Sequence, residues 1–367
     1  MTDINILRKE FAAFCAEDKL TPYSPPTELQ SVFDSYHWIA QDRIDAVRQH
    51  FLPGRNIEIY FDFSSGPNLN AAAGIRNKRG IFRINKGAVL VSADLFQRML
   101  SHPDVLKFIG NVGLESYEGQ FSEGLLNNID VLHASRIRSG WPTAPRSPND
   151  PVRREFSMVA NNLAYDFLVL HEVAHIVTGQ LEFIIKAAGV DMVCEAVSGG
   201  AAFYRSKTVR QAIELGADNF AVGLGFTSVM NWSGPVHSHW ESFFSTPEQR
   251  IYAWCFAIGA VFRLWGLETN IVDVRKRDYP PPAMRYFAAI GTIQLMFETS
   301  KTPIKVDFKK IADQAFVDLN ESIFSVGGRR LKTEDFNQVY TPEGKTHFLR
   351  IRRCMARLLP RLRYSQK

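Results

Sequence analysis

LVLHEVAHIVTG, residues 168–179, places two histidines four apart with a glutamate directly after the first. Upstream, apolar residues at 152, 156, 159, 160, 163, 167, 170 and 174 repeat at helical spacing. Asp150 followed by Pro151 reads as an N-cap and a first helical residue, and Gly179 as a stop. The pattern predicts one long helix from 151 that carries His171 and His175 near its C-terminal end.

On such a helix the two imidazoles stand one turn apart on a single face. So placed, they can converge on one tetrahedral zinc at ~2.0–2.1 Å. Glu172 is turned by about 100° from His171, too far to share the ligation but able to reach water on the open side of the cation. The competing reading is a buried helix with two satisfied core histidines. Against it, the chain has nine histidines in all, and polar groups inside VLHEVAHIV are costly to bury without partners.

A metal site that leaves one position open needs a third protein ligand. Among the glutamates after His175, Glu214 stands out, because Asp218 follows four residues later in ELGADNFA. Carboxylates so placed orient ligating histidines from behind. Gly216, Ala217 and Ala221 leave little bulk, so this second helix can approach the first closely. Glu182 and Glu195 are the rivals; Glu182 follows the first helix too closely to fold back, and Glu195 lacks an aspartate four residues on.

HEVAH at 171–175 with ELGADNFA at 214–221 resembles the gluzincins, the HExxH…ExxxD zinc metallopeptidases. The Ala-Asp pair and trailing Phe-Ala look most like the HtpX-type and the soluble, Lit-like phage-exclusion peptidases; the ImmA/IrrE-type peptidases have a similar second helix. FSTPEQRI, residues 244–251, resembles the STHP…RI segment of the first of these families without its histidine. The resemblance implies one Zn2+ ion held by His171, His175 and Glu214, Glu172 as the catalytic base, and Asp218 behind His171. His237, His239, Arg250 and Tyr165 are candidates for a donor to the oxyanion or the substrate; Arg250 equally suits a structural ion pair near Asp218 or Glu248. The implied activity is a zinc-dependent endopeptidase cleaving a protein or peptide substrate, a narrowly targeted defence or regulatory protease. The alternative is a non-catalytic binding protein that keeps a peptidase-like fold and a structural metal.

The rest of the chain suits an α+β, zincin-like fold, with a small antiparallel sheet followed by an active-site helix bundle. Residues 1–52 read as helices broken at YSPP. NIEIYFDFS, from Asn56, alternates as a strand; a hairpin follows around Asn77 to Gly80, then an extended piece from Ala88 to Ser92 that offers an edge for a substrate. ADLFQRMLSHPDVLKFIG reads as helix broken at Pro103. Thr246-Pro247-Glu248-Gln249 fits a capping box opening a helix over 247–266. These features divide the chain into a mixed lobe (1–150), a zinc-binding helical core (151–270) and a helical C-terminal region with a basic tail (271–367).

The 367 residues are 46% apolar and 22% charged, as in ordinary globular proteins, and the net charge of +5 is too diffuse to signal nucleic acid. The N-terminus lacks the pattern of a signal peptide. The longest apolar run, 251–266, is interrupted by Arg263 and shorter than the ~20 residues of a membrane span. Four scattered cysteines form no CxxC pair and fit reduced thiols in the cytoplasm. The tail FLRIRRCMARLLPRLRYSQK, 348–367, suits either an acidic surface or a helix packed on its own domain through Phe348, Ile351, Leu358 and Leu359.

Overall fold

The computed structural model describes residues 3–51, 57–67, 69–116, 147–188, 192–194, 207–232, 238–265, 279–299, 306–326 and 339–362. Its organising element is a 27-residue helix, Pro151–Val177 (α4). Asp150 caps it by accepting from the Arg153 amide, Pro151 opens it, and Gly179 takes a φ of 78° just beyond its end. All ten residues from Leu168 to Val177 are buried.

Before it come Ile4–Ala16 (α1), Thr27–Phe51 (α2), three strands and Lys86–Ser101 (α3). The strands are Ile59–Ser64 (β1), Ala71–Arg76 (β2) and Arg79–Asn85 (β3). Asn77 and Lys78 join β2 to β3 with φ of 47° and 67°, as a two-residue hairpin turn with both central residues left-handed requires. Met192–Cys194 (β4) completes the sheet in the order β1-β3-β2-β4.

The sheet is mixed rather than antiparallel: β3 inserts between its hairpin partner β2 and β1, to which it runs parallel. The segment 65–70 is long enough to carry the chain past one strand position, about 10 Å. Alternation of residue types defines a strand but not its neighbour, so this order was not legible from sequence. Ala88–Ser92 is not extended either. Those residues lie in the first turns of α3, buried on every side together with Leu95, Phe96, Met99 and Leu100. A continuous apolar run suits a fully buried helix as well as a strand, and the substrate edge expected there does not exist. Beyond Ser101 the helix does not resume. Buried Arg153 instead gathers the carbonyls of Leu100, His102, Val105, Leu106 and Ile109, so the first turn of α4 satisfies the end of α3.

After α4 come Gln180–Ala188 (α5), Lys207–Met230 (α6), the short Glu241–Phe244 (α7), Pro247–Leu264 (α8), Pro282–Thr299 (α9), Phe308–Ser325 (α10) and Pro342–Leu358 (α11). The capping box at Thr246 and Gln249 is present. α4 packs against α2, α3, α6, α8 and β2, which places it at the centre of the helical layer. An added Cβ at Gly80 would lie 2.5 Å from Ile176 Cγ2, so this glycine lets β3 sit directly on α4. α11, the basic tail, docks on α6: Ile351 and Leu358 are buried and His347 Nε2 lies 2.7 Å from Gln211 Oε1, while Leu359 is exposed. Arg350, Arg352, Arg353 and Arg357 face outward. Among the described residues no helix is long and apolar enough to cross a membrane, and Cys15, Cys255 and Cys354 are free.

Candidate metal centre

α4 and α6 lie side by side because the facing stripe of α6 is small. Ala217 and Ala221 are wholly buried, and an added Cβ at Gly225 would already touch Leu170 Cδ1 at 3.4 Å. Glu214 and Asp218, one turn apart on α6, are thereby carried to the histidines of α4.

The inner atoms form a triangle. His171 Nε2 and His175 Nε2 are 3.2 Å apart. Glu214 Oε2 stands 3.3 Å from the first and 3.9 Å from the second. A tetrahedron whose centre lies ~2.0–2.1 Å from each vertex has edges of about 3.3–3.4 Å, so two sides of the triangle match a single tetrahedral ion and the third is slightly long.

The outer atoms fix the protons. His175 Nδ1 is 2.6 Å from Gln180 Oε1, and His171 Nδ1 is 3.0 Å from Asp218 Oδ1. Gln180 Oε1 accepts, so His175 Nδ1 carries a hydrogen and its Nε2 turns inward, while the Asp218 carboxylate beside His171 Nδ1 favours a hydrogen there. Burial drives the His175 pKa down to about 4, against the pull of the Glu214 charge, so this ring is neutral near pH 7. Glu214 Oε2 is buried, with His171 Nε2 beside it at 3.3 Å. Two ring nitrogens and a carboxylate oxygen therefore face one another at 3.2–3.9 Å. So close a set is held together by positive charge among its members, a proton on His171 or a bound cation. The three residues fit a metal ion and can hold one.

Around the triangle stands a charged frame. Arg285, from α9, reaches Asp218 through Nε–Oδ2 at 2.7 Å and Nη2–Oδ1 at 2.8 Å, and lies over the Trp265 ring at 4.4 Å. Burial pushes the Asp218 carboxyl up, but Arg285 and His171 outweigh it and hold it at about 2. Burial likewise opposes ionisation of Glu214, and the two histidines and Arg285 hold it below the usual carboxylate range. His175 sits in the last turn of α4, where the helix dipole favours positive charge.

The structure therefore brings together His171, His175, Glu214 and Asp218, with Glu172 buried beside them. It does not bring Arg250, His239 or Tyr165. Arg250 donates to the carbonyls of Phe244, Met230 and Trp232; Met230 ends α6, sixteen residues or about 24 Å along the helix from Glu214. It makes neither the oxyanion contact nor an ion pair with Asp218 or Glu248. His239 is exposed in a single turn, Ser238–Trp240, whose Trp240 bonds Glu155 near the opposite end of α4. Tyr165 is buried against Tyr36 and Phe63 on the other side of α4. His237 and Glu195 lie outside the described residues.

Sequence reasoning missed Gln180 and Arg285. Gln180 was within reach, since it directly follows the Gly179 stop and so comes back under the last turn of α4. An added Cβ at Gly216 would lie 3.1 Å from Gln180 Nε2, so the glycine of ELGAD makes room for this side chain. Arg285 carries no local signal, being 67 positions from Asp218. Comparison with protein-family models, curated proteins and solved structures returns no match, so the residues themselves carry the assignment.

Proposed function

We propose that the protein is a zinc-dependent endopeptidase of gluzincin type, acting on a narrow set of protein bonds. The observation that supports it is the buried triangle of His171, His175 and Glu214 with a carboxylate, Glu172, next in sequence to its first member. A bound zinc ion would supply Lewis-acid chemistry, acidifying water and polarising a carbonyl oxygen. Glu172 accepts the proton of the attacking water at its carboxylate and passes it to the nitrogen of the leaving amine. Asp218 and Gln180 keep the Nδ1 protons on the two rings, so both Nε2 atoms stay free to ligate. Arg285 keeps Asp218 ionised for that task.

A second reading has its own support. His171, Glu172, His175, Glu214 and Asp218 are each no more than 3% exposed, which also suits a metal that only braces α4 against α6. The Glu172→Gln variant separates the two, since a structural site has no use for that carboxylate. Parent and variant proteins, each assayed for zinc and incubated with a cell extract, are compared by sequencing new N-termini. The peptidase reading expects zinc in both and new N-termini only with the parent. Equal cleavage by both, or zinc in both with no cleavage by either, contradicts it.

A further inference from the structure

We propose that the open edge of β1 is a second binding site, which takes an extended, acidic peptide as an added antiparallel strand. Along β1, alternate residues direct their backbone groups to opposite edges. Glu58 gives its carbonyl to Gly80 on the β3 side, whereas Phe63 gives its carbonyl outward to the Tyr23 amide. Ile59 and Phe61 share the direction of Phe63. Among the described residues nothing pairs with their outward N–H and C=O groups.

The chain itself demonstrates the pairing. Thr21 to Tyr23 run antiparallel along the end of β1: Pro22 stands opposite Ser64, and the Ser65 amide donates to Thr21. The next positions of that segment would meet Asp62 and Phe61. There Pro25 and Pro26 intervene and α2 departs at Thr27. Proline has no amide to donate, so the intramolecular strand stops, and among the described residues nothing covers the edge at Ile59 to Phe61.

That uncovered edge floors a trench of about 830 Å³ with α1 as one wall, α2 as the other and the Asn77-Lys78 turn at one end. No residue of α4, α5 or α6 lines it, so it is separate from the metal centre. The charges select the occupant. The two acids are engaged: Glu58 with Arg79 at 3.0 Å, and Asp62 with its neighbour's amide at 2.8 Å and the Tyr60 hydroxyl at 3.3 Å. The cations are less so: Lys78 is exposed at the turn, Arg48 stands only loosely at 3.8 Å from Asp45, and Arg8 extends from α1 beside the Tyr60 hydroxyl. A strand with acidic side chains gains main-chain bonds to the floor and charge contacts to the walls. A second copy paired through the same edge would bring these cations against their own counterparts, which opposes it.

The test uses the full chain and a short, end-blocked, fluorescent peptide of alternating valine and glutamate. Its lysine counterpart and a version N-methylated at alternate residues serve as comparisons. Expected are binding of the acidic peptide alone, slower amide exchange at Ile59 and Phe61, and a Kd raised at least about tenfold in the Arg48→Glu, Lys78→Glu double variant. Both positions are solvent-facing, and a thermal melt verifies that the variant folds. No binding at about 1 mM, equal binding by the N-methylated peptide, or an unchanged Kd in the variant overturns the proposal. So does protection of the same amides by dimerisation in the absence of peptide. None of these outcomes depends on zinc or on hydrolysis.

Discussion

Arg285 holds Asp218 by both carboxylate oxygens, at 2.7 and 2.8 Å, while the same carboxylate stands 3.0 Å from His171 Nδ1. A helix that supplies no ligand, α9, thus sets the orientation of the first histidine through one intermediate group.

Removing the guanidinium should therefore be felt at the metal. Arg285→Leu leaves the Asp218 carboxylate buried without its counter-charge, and a broken buried pair costs about 3–5 kcal/mol. Metal affinity should fall by about 10–100-fold, as for other groups that orient ligands. Arg285→Lys keeps the charge but loses the two-pronged contact and should lie between. Urea unfolding and zinc titration against a competing chelator measure the two effects.

The second histidine offers a parallel test. Gln180→Leu removes the acceptor at His175 Nδ1, and Gly216→Ala sets a methyl group against the Gln180 amide. Both variants should bind zinc more weakly, by about 10–100-fold for the first. Ala at 216 should act only while Gln180 is present. Equal losses for Gly216→Ala in the Gln180→Leu background and in the parent would count against this route.

Metal-free protein should lose stability on mild acidification. The folded His175 pKa, about 4, lies below the ~6.5 of an unfolded histidine. Between these values the unfolded chain takes up a proton that the folded chain refuses. The contribution is full above pH ~6.5, falls as pH drops and levels off below about 4, a change of about 3 kcal/mol. Asp218, held at about 2, adds a second loss between ~3.8 and about 2, as its stabilising charge disappears. Chelator-treated protein unfolded in urea at a series of pH values should show the first step, and His175→Gln should remove it.

The cluster of His171, His175, Glu214 and Asp218 was legible because its residues are written at fixed helical intervals. His171 and His175, and Glu214 and Asp218, each lie four apart, and small residues flank the second pair. The Asp150-Pro151 start, the Gly179 stop and the Thr246 capping box are local signals, and they were legible too. What escaped depends on distant packing. AVLVS at 88–92 is helical because α3 is enclosed on all sides, and β3 lies beside β1 through strand order alone. Arg250 resembled a site residue in FSTPEQRI, yet its donors are consumed by carbonyls at the end of α6. Charge and position in sequence reveal which groups are available, but not which are already paired.

The most direct measurement is the metal content of the purified protein and its Glu214→Gln variant, by elemental analysis after dialysis against metal-free buffer. Ligation by His171, His175 and Glu214 requires close to one zinc per chain in the parent and little in the variant, with both folded by circular dichroism. A parent that binds no divalent metal when zinc is supplied, or a variant that retains as much as the parent, would contradict it.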